Sequence, residues 1–391
     1  MMKISRLHHR RGRPVCIRNS IIDGDLITTL IFEGKDDVDF YANAAPDEIR
    51  RLSNDILDFV GSSTFEPTKF DTLSDADKAK HLGEVAKKGY ELFEALIAPD
   101  DKDEFINLLR QEAKRDGAVS VRCTAVRVPW EFAYIEPVAN PVNPLGFLGQ
   151  IYLLPRITPP RLPSTGDGSY FRAGATDATP TNARKIDLGV IYDDWRDAKS
   201  NRDISSAWFS SQPHLTIRSL PQLTAATSYR DRMFDLLRAF LFLPVDSFLF
   251  SCGLWRTPRP NHSIDIRIWE RFESRFKDTS SLKLRGHDRL LVFLDVDYAA
   301  YHAVSRAKSL AERMHHNGAA VVIAPIGRVD ALLSEQLSDH FYRSIMKGKD
   351  IGPSLLHARR YVLQQKSNPT ALFWTAFGDV WTDVSAQGAS A

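Results

Sequence analysis

Cysteine is scarce in this 391-residue chain: Cys16, Cys123 and Cys252 are the only three. Three scattered thiols make neither a disulfide framework nor a zinc site, and they fit a reducing, cytoplasmic compartment. Long apolar runs are missing too. The longest, 239–245 and 290–294, fall far short of the ~18 residues of a membrane span. The basic start has no apolar stretch or small-residue cleavage site, so it does not read as a signal peptide. A dominant charge is lacking: 51 Lys+Arg against 49 Asp+Glu give +2, which argues against a dedicated nucleic-acid binder. Also absent are GxxxxGK[ST], a GxGxxG after a strand and a GxSxG elbow. ATP, dinucleotide and α/β-hydrolase chemistries lose their usual sequence support. No tandem repeat is visible.

What is present suits a large folded core, with 43% apolar and 26% charged residues. Residues 1–20 form a basic arm with Lys3, Arg6, Arg10, Arg11, Arg13 and Arg18, read as a solvated terminus. Residues 21–154 give strand, helices, strand. Strands are expected at 25–32 and 118–128, and helices at 46–59, 74–97 and 103–114. Ser74, followed by Asp75 and Asp77, is an N-cap signal.

Residues 155–183 hold five prolines and three glycines among many Ser, Thr and Asp. They read as a loop or linker that divides the chain. Beyond it, residues 184–385 alternate strand and helix. Strands are expected at 188–192, 215–220, 247–250, 290–294, 319–323 and 373–377, and helices at 225–240, 303–316, 330–347 and 352–365. The aromatic-basic stretch 255–276 reads as a further core-facing helix. Residues 386–391 are a disordered tail. This order predicts an α/β fold with a mostly parallel sheet, whose chemistry belongs at the carboxyl ends of the strands. Those ends hold Asp193 and Asp194, then Ser251 to Gly253, then Asp295 and Asp297.

Three chemistries suggest themselves there. Asp295 and Asp297, at i and i+2 of an extended chain, face one way and could bind Mg²⁺ or accept a phosphoryl group. As two acids in a loop they also read as ordinary turn residues, and no metal site is assigned. Cys252 ends a strand as a possible thiolate nucleophile or as a small buried apolar residue. The pairs His8–His9 and His315–His316 lack i,i+4 ligand spacing and read as surface residues.

Ordered landmarks add a family reading. VPWEFAYI (128–135), FLG (147–149) and PRI (155–157) resemble a segment of CHAT domains, which are caspase-like domains of clan CD. The helix GEVAKKGYELFEALIAP (83–99) resembles the one that precedes it. TIRSLPQLTAATSYRDRMFDLL (216–237), DSFLFSCG (246–253), RLLVFLDVDYAA (289–300) and GAAVVIAPIGRVD (318–330) follow in family order. So do FYRSIMKGKDIGPSLLHAR (341–359) and NPTALFWTAFGD (368–379).

The resemblance implies a caspase-like α/β/α sandwich, with an N-terminal lead-in subdomain and a C-terminal catalytic-type subdomain. The family's catalytic His and Cys positions fall on Gly253 and Asp297. No Cys or His lies within 290–300, and no His within 246–260. No catalytic residue is therefore expected, and Cys252 is the fallback nucleophile. The resemblance thus implies a pseudo-peptidase without cofactor. It would act through protein–protein interaction as regulator, scaffold or partner of a peptidase, or in a bacterial defence system. Asp193, Asp194, Asp295 and Asp297 are the candidate binding residues. The alternative is an active cysteine endopeptidase with a rearranged site using Cys252. Membrane and nucleic-acid partners are not expected.

Overall fold

A computed structural model describes residues 15–32, 34–61, 70, 72–113, 119–123, 126–156, 186–192, 215–219, 247–251, 291–295, 299–300, 309–316, 319–327, 329, 331–347, 349–378 and 380. The chain divides into two compact units. One comprises residues 1–173 and 352–375, the other 174–351 and 376–391.

The first unit opens with a hairpin, β1 (Val15–Ile22) and β2 (Asp25–Phe32). Its two-residue turn is Asp23–Gly24, with φ of 53° and 97°. Asp-Gly is favoured there because both central residues of a type I′ turn need positive φ. Strand β1 takes up residues 15–20. The pairing of Val15 with Phe32 through Ile22 with Asp25 draws these residues into the sheet. β3 (Val38–Tyr41) pairs with β2.

Two helices follow, α1 (Pro46–Gly61) and α2 (Asp75–Leu96). Ser74 caps α2 by accepting a hydrogen bond from the Asp77 N–H at 3.1 Å. That satisfies one of the orphan donors of the first turn. α3 (Lys102–Glu112) leads to β4 (Val119–Cys123), which lies parallel to β1. The sheet order is β3–β2–β1–β4. Segment 153–156 runs on beside β4: the Val119 and Val121 N–H groups donate to Leu153 O and Pro155 O.

The core of this unit joins Ile17, Leu30 and Phe40 from the sheet to Leu92, Phe93, Phe105 and Trp130. Trp130 stacks on Phe105 at 5.9 Å. A turn at Trp130–Phe132 and the short helix α4 (Leu148–Ile151) complete the N-terminal part.

The second unit is a parallel α/β layer. Its strands are β5 (Ile186–Tyr192), β6 (Leu215–Ser219), β7 (Ser247–Ser251) and β8 (Leu291–Asp295). After α5 (Leu310–His316) comes β9 (Val321–Pro325), then α6 (Ala331–Met346). Helix α7 (Ile351–Lys366) lies almost wholly in the first unit, and β10 (Trp374–Gly378) closes the sheet. The order is β10–β9–β8–β7–β5–β6, with β6 through β9 parallel.

β8 and β9 are buried along their whole length, as parallel strands covered on both faces must be. Phe293 of β8 packs on Phe341 and Tyr342 of α6, at 5.3 and 6.0 Å between ring centres. Ser309 and Glu312 form a capping box on α5. The Ser309 N–H donates to Glu312 Oε2 at 2.7 Å, and the Glu312 N–H to Ser309 Oγ at 3.1 Å.

The mixed α/β class expected from the sequence is the class observed. The expected linker beyond residue 156, the helices at 225–240 and 255–276 and the tail 386–391 lie outside the described residues. No helix among the described residues is long and apolar enough to cross a membrane.

Candidate functional site at the strand ends

In the six-stranded sheet the chain runs from β5 outward to β6, then returns past β5 to β7 and continues to β8 and β9. The direction of winding therefore reverses between β5 and β7. In open α/β sheets the crevice outside the carboxyl ends at such a reversal is where ligands bind. The register aligns those ends in one row. Tyr192 of β5 is opposite Ser251 of β7, and Ser251 is opposite Asp295 of β8.

Asp295 is the one charged residue of β8, and it is only 4% exposed. Beyond it, the Ala300 N–H donates to Pro325 O at the end of β9 (2.9 Å), and the Ala311 N–H donates to Ala299 O (3.1 Å). The chain leaving β8 is thus tied to the end of β9 and to α5. Asp193, Asp194, Cys252, Gly253 and Asp297 follow these strands in sequence and lie outside the described residues. Among the described residues no three His, Cys, Asp or Glu side chains gather as a metal site.

His315 departs from the surface reading: it is part-buried. Its Nδ1–H donates to Ala319 O at 2.8 Å, and its ring lies against Gly378. Burial holds its pKa below the ordinary value, opposed by that hydrogen bond. Gly378 has φ 99°, and a Cβ there would meet Ala320 O at 2.1 Å, so the close approach requires glycine.

The first unit carries a polar cluster to which the sequence reading gave no role. Glu131, fully buried, accepts from Arg156 Nη2 at 2.8 Å. Arg359 of α7 is also fully buried. It donates from Nη1 to Trp374 O (3.2 Å) and from Nη2 to Tyr152 O (3.5 Å). Arg360 grips Gln150 O from Nε at 2.7 Å and Nη2 at 2.5 Å. Desolvation pushes the Arg359 guanidinium down to about 10, with the Glu131 carboxylate working against the fall. At neutral pH it stays charged.

Gly149 makes the cluster possible, because a Cβ there would meet Glu131 O at 2.7 Å. One signal in the sequence could have found this cluster. Glu131 is the single charge in the otherwise apolar run VPWEFAYI. A buried carboxylate needs a cationic partner, and only the fold could say which.

No family model matches the chain, and no curated protein sequence matches it. Among solved structures it is similar to chains of the Saccharomyces cerevisiae separase–securin complex. One, from a 3.0 Å crystal structure, is 8% identical with a TM-score of 0.45, covering 96% of this chain and 30% of that one. The other, from a 2.6 Å crystal structure, is 9% identical with a TM-score of 0.47, covering 93% and 30%. The chain spans less than a third of the length of either.

Proposed function

We propose that this protein is a caspase-like domain related to CHAT domains that does not cleave peptide bonds and acts by binding a protein partner. One observation carries the reading. The row Tyr192–Ser251–Asp295 ends three parallel strands beside the winding reversal, and the sequence there offers no nucleophile–base pair. Where the resemblance implies a histidine the chain has Gly253, which has no side chain to accept a proton. Where it implies a cysteine the chain has Asp297, a poor nucleophile toward an amide. A positioned general base contributes about 10²–10⁴-fold, and the thiolate's own reactivity is lost besides.

The carboxylates Asp193, Asp194, Asp295 and Asp297 favour a partner segment carrying Lys or Arg. The partner would be a peptidase or its substrate, and the domain its regulator or scaffold. A reducing, cytoplasmic setting fits the low cysteine content.

The test is intact-mass labelling with an electrophilic peptidyl probe ending in Arg or Lys, on wild type and Cys252→Ala, with and without cell extract. The binding reading expects no labelling in any arm. Stoichiometric labelling that disappears in Cys252→Ala overturns it and makes Cys252 the nucleophile.

A further inference from the structure

Four polar atoms on three fully buried side chains of the first unit have no hydrogen-bond partner among the described residues. They are Glu131 Oε1, Gln150 Oε1, Gln150 Nε2 and Arg359 Nε. Buried polar groups are nearly always satisfied, so an orphan set of this size demands an account.

The three residues share one neighbourhood. Gly149, next to Gln150, packs on the backbone of Glu131. Arg359 feels the Glu131 charge and donates to Tyr152 O, two residues beyond Gln150. Arg360, next to Arg359, holds Gln150 O itself.

The chemistry of the set narrows what it can hold. Glu131 Oε1 and Gln150 Oε1 are acceptors, whereas Gln150 Nε2 and Arg359 Nε are donors. A bare anion would satisfy only the donors and a bare cation only the acceptors. A water molecule donates two hydrogen bonds and accepts two, which matches the set.

We propose that Glu131, Gln150 and Arg359 enclose an internal hydration site, holding one or two ordered waters, that fastens α7 to the segment 148–156. Glu131 spends one oxygen on Arg156 and the other on the water. Arg359 spends Nη1 and Nη2 on carbonyls and Nε on the water. The site thereby joins residues more than two hundred positions apart in the chain.

The test is a crystal structure of the full chain at better than about 1.8 Å, with anomalous data and chloride replaced by bromide. The expected result is solvent density within hydrogen-bond distance of at least two of the three side chains, with no bromide signal. Direct Glu131–Gln150 or Gln150–Arg359 hydrogen bonds without solvent, or a bromide peak, overturn the proposal.

Gln150→Met supplies a solution readout. It removes two of the water's partners while keeping side-chain volume. The expected result is a melting point lowered by a few degrees, with faster hydrogen exchange in the α7 amides. An unchanged or raised melting point, with α7 protection intact, also overturns the site.

Discussion

The two units solve the same problem, burying a sheet, by different means. The first has a mixed sheet whose core is crossed by polar ties. Trp130 Nε1 donates to Asn19 Oδ1 at 2.8 Å, Asn19 Nδ2 donates to Thr28 Oγ1 at 2.9 Å, and the buried Glu131 pairs with the part-buried Arg156 at 2.8 Å. The second buries β8 and β9 end to end, and those strands are aliphatic and aromatic until Asp295. Directional contacts specify which segments meet, whereas apolar burial is non-directional and scales with area. The difference teaches where each unit is vulnerable. The first should fail sharply when one polar atom is lost, the second gradually with lost volume.

The largest expected effect breaks the first unit at its charge. Glu131→Ala leaves Arg156 without its ion-pair partner and the buried Arg359 without the negative charge near it, and removing one partner of a buried pair costs about 3–5 kcal/mol. Urea unfolding followed by hydrogen exchange in α7 measures this. Replacing the pair together, Glu131→Leu with Arg156→Met, should recover a large part of the loss. If the single change costs under about 1 kcal/mol, the contrast between the units fails.

Next is Asn19→Ala, which leaves the Trp130 N–H buried and unsatisfied. The expected loss is about 1–3 kcal/mol, read from the same denaturant curve. In the second unit, Ile323→Val in β9 removes one methylene from a fully buried strand. It should cost about 0.5–1.5 kcal/mol, seen as faster exchange in the β8 and β9 amides. A cost above that of Asn19→Ala would reverse the comparison.

The smallest effect is pH dependence from His315. Its pKa is lowered in the folded state, so above about 6.5, the unfolded value, it is neutral in both states and the fold keeps its full stability. As pH falls below that value the unfolded chain takes up the proton first, and stability of the second unit declines until the folded pKa is passed. Melting curves from pH 8 to pH 5 for wild type and His315→Asn should converge at the acid end. Parallel curves would remove His315 from the account.

The elements themselves were legible to different degrees. β2 at 25–32, α1, α2 and the six strands of the second sheet follow from period, β-branching and the Ser74 cap. They were placed within about two residues, because local periodicity and capping act over single turns. β1 and β3 were missed. Val15–Ile22 alternates imperfectly and follows a run of arginines, and Val38–Tyr41 is four residues preceded by two acids, so neither carries a period of its own. Their pairing with β2 supplies what their composition lacks. The expected strand at 118–128 is described over Val119–Cys123, and the chain continues past residue 126 into the Trp130 turn.

The candidate site divides in the same way. That β8 ends in Asp295 rather than in a thiol is written in the residues. That Tyr192, Ser251 and Asp295 form one row beside a winding reversal is a matter of register, which depends on hydrogen bonds between strands dozens of residues apart.

The sequence by itself determined the α/β class, the apolar strands of the second unit and the lack of a Cys–His pair at their ends. These depend on side-chain type and on spacings of two to four residues. Only the tertiary structure decided that α7 returns to the first unit, that Glu131 meets Arg156 and Arg359, and that His315 is covered by Gly378. A buried charge specifies that it needs an opposite charge, but not which one. That choice belongs to the packing of segments whose encounter no local pattern encodes.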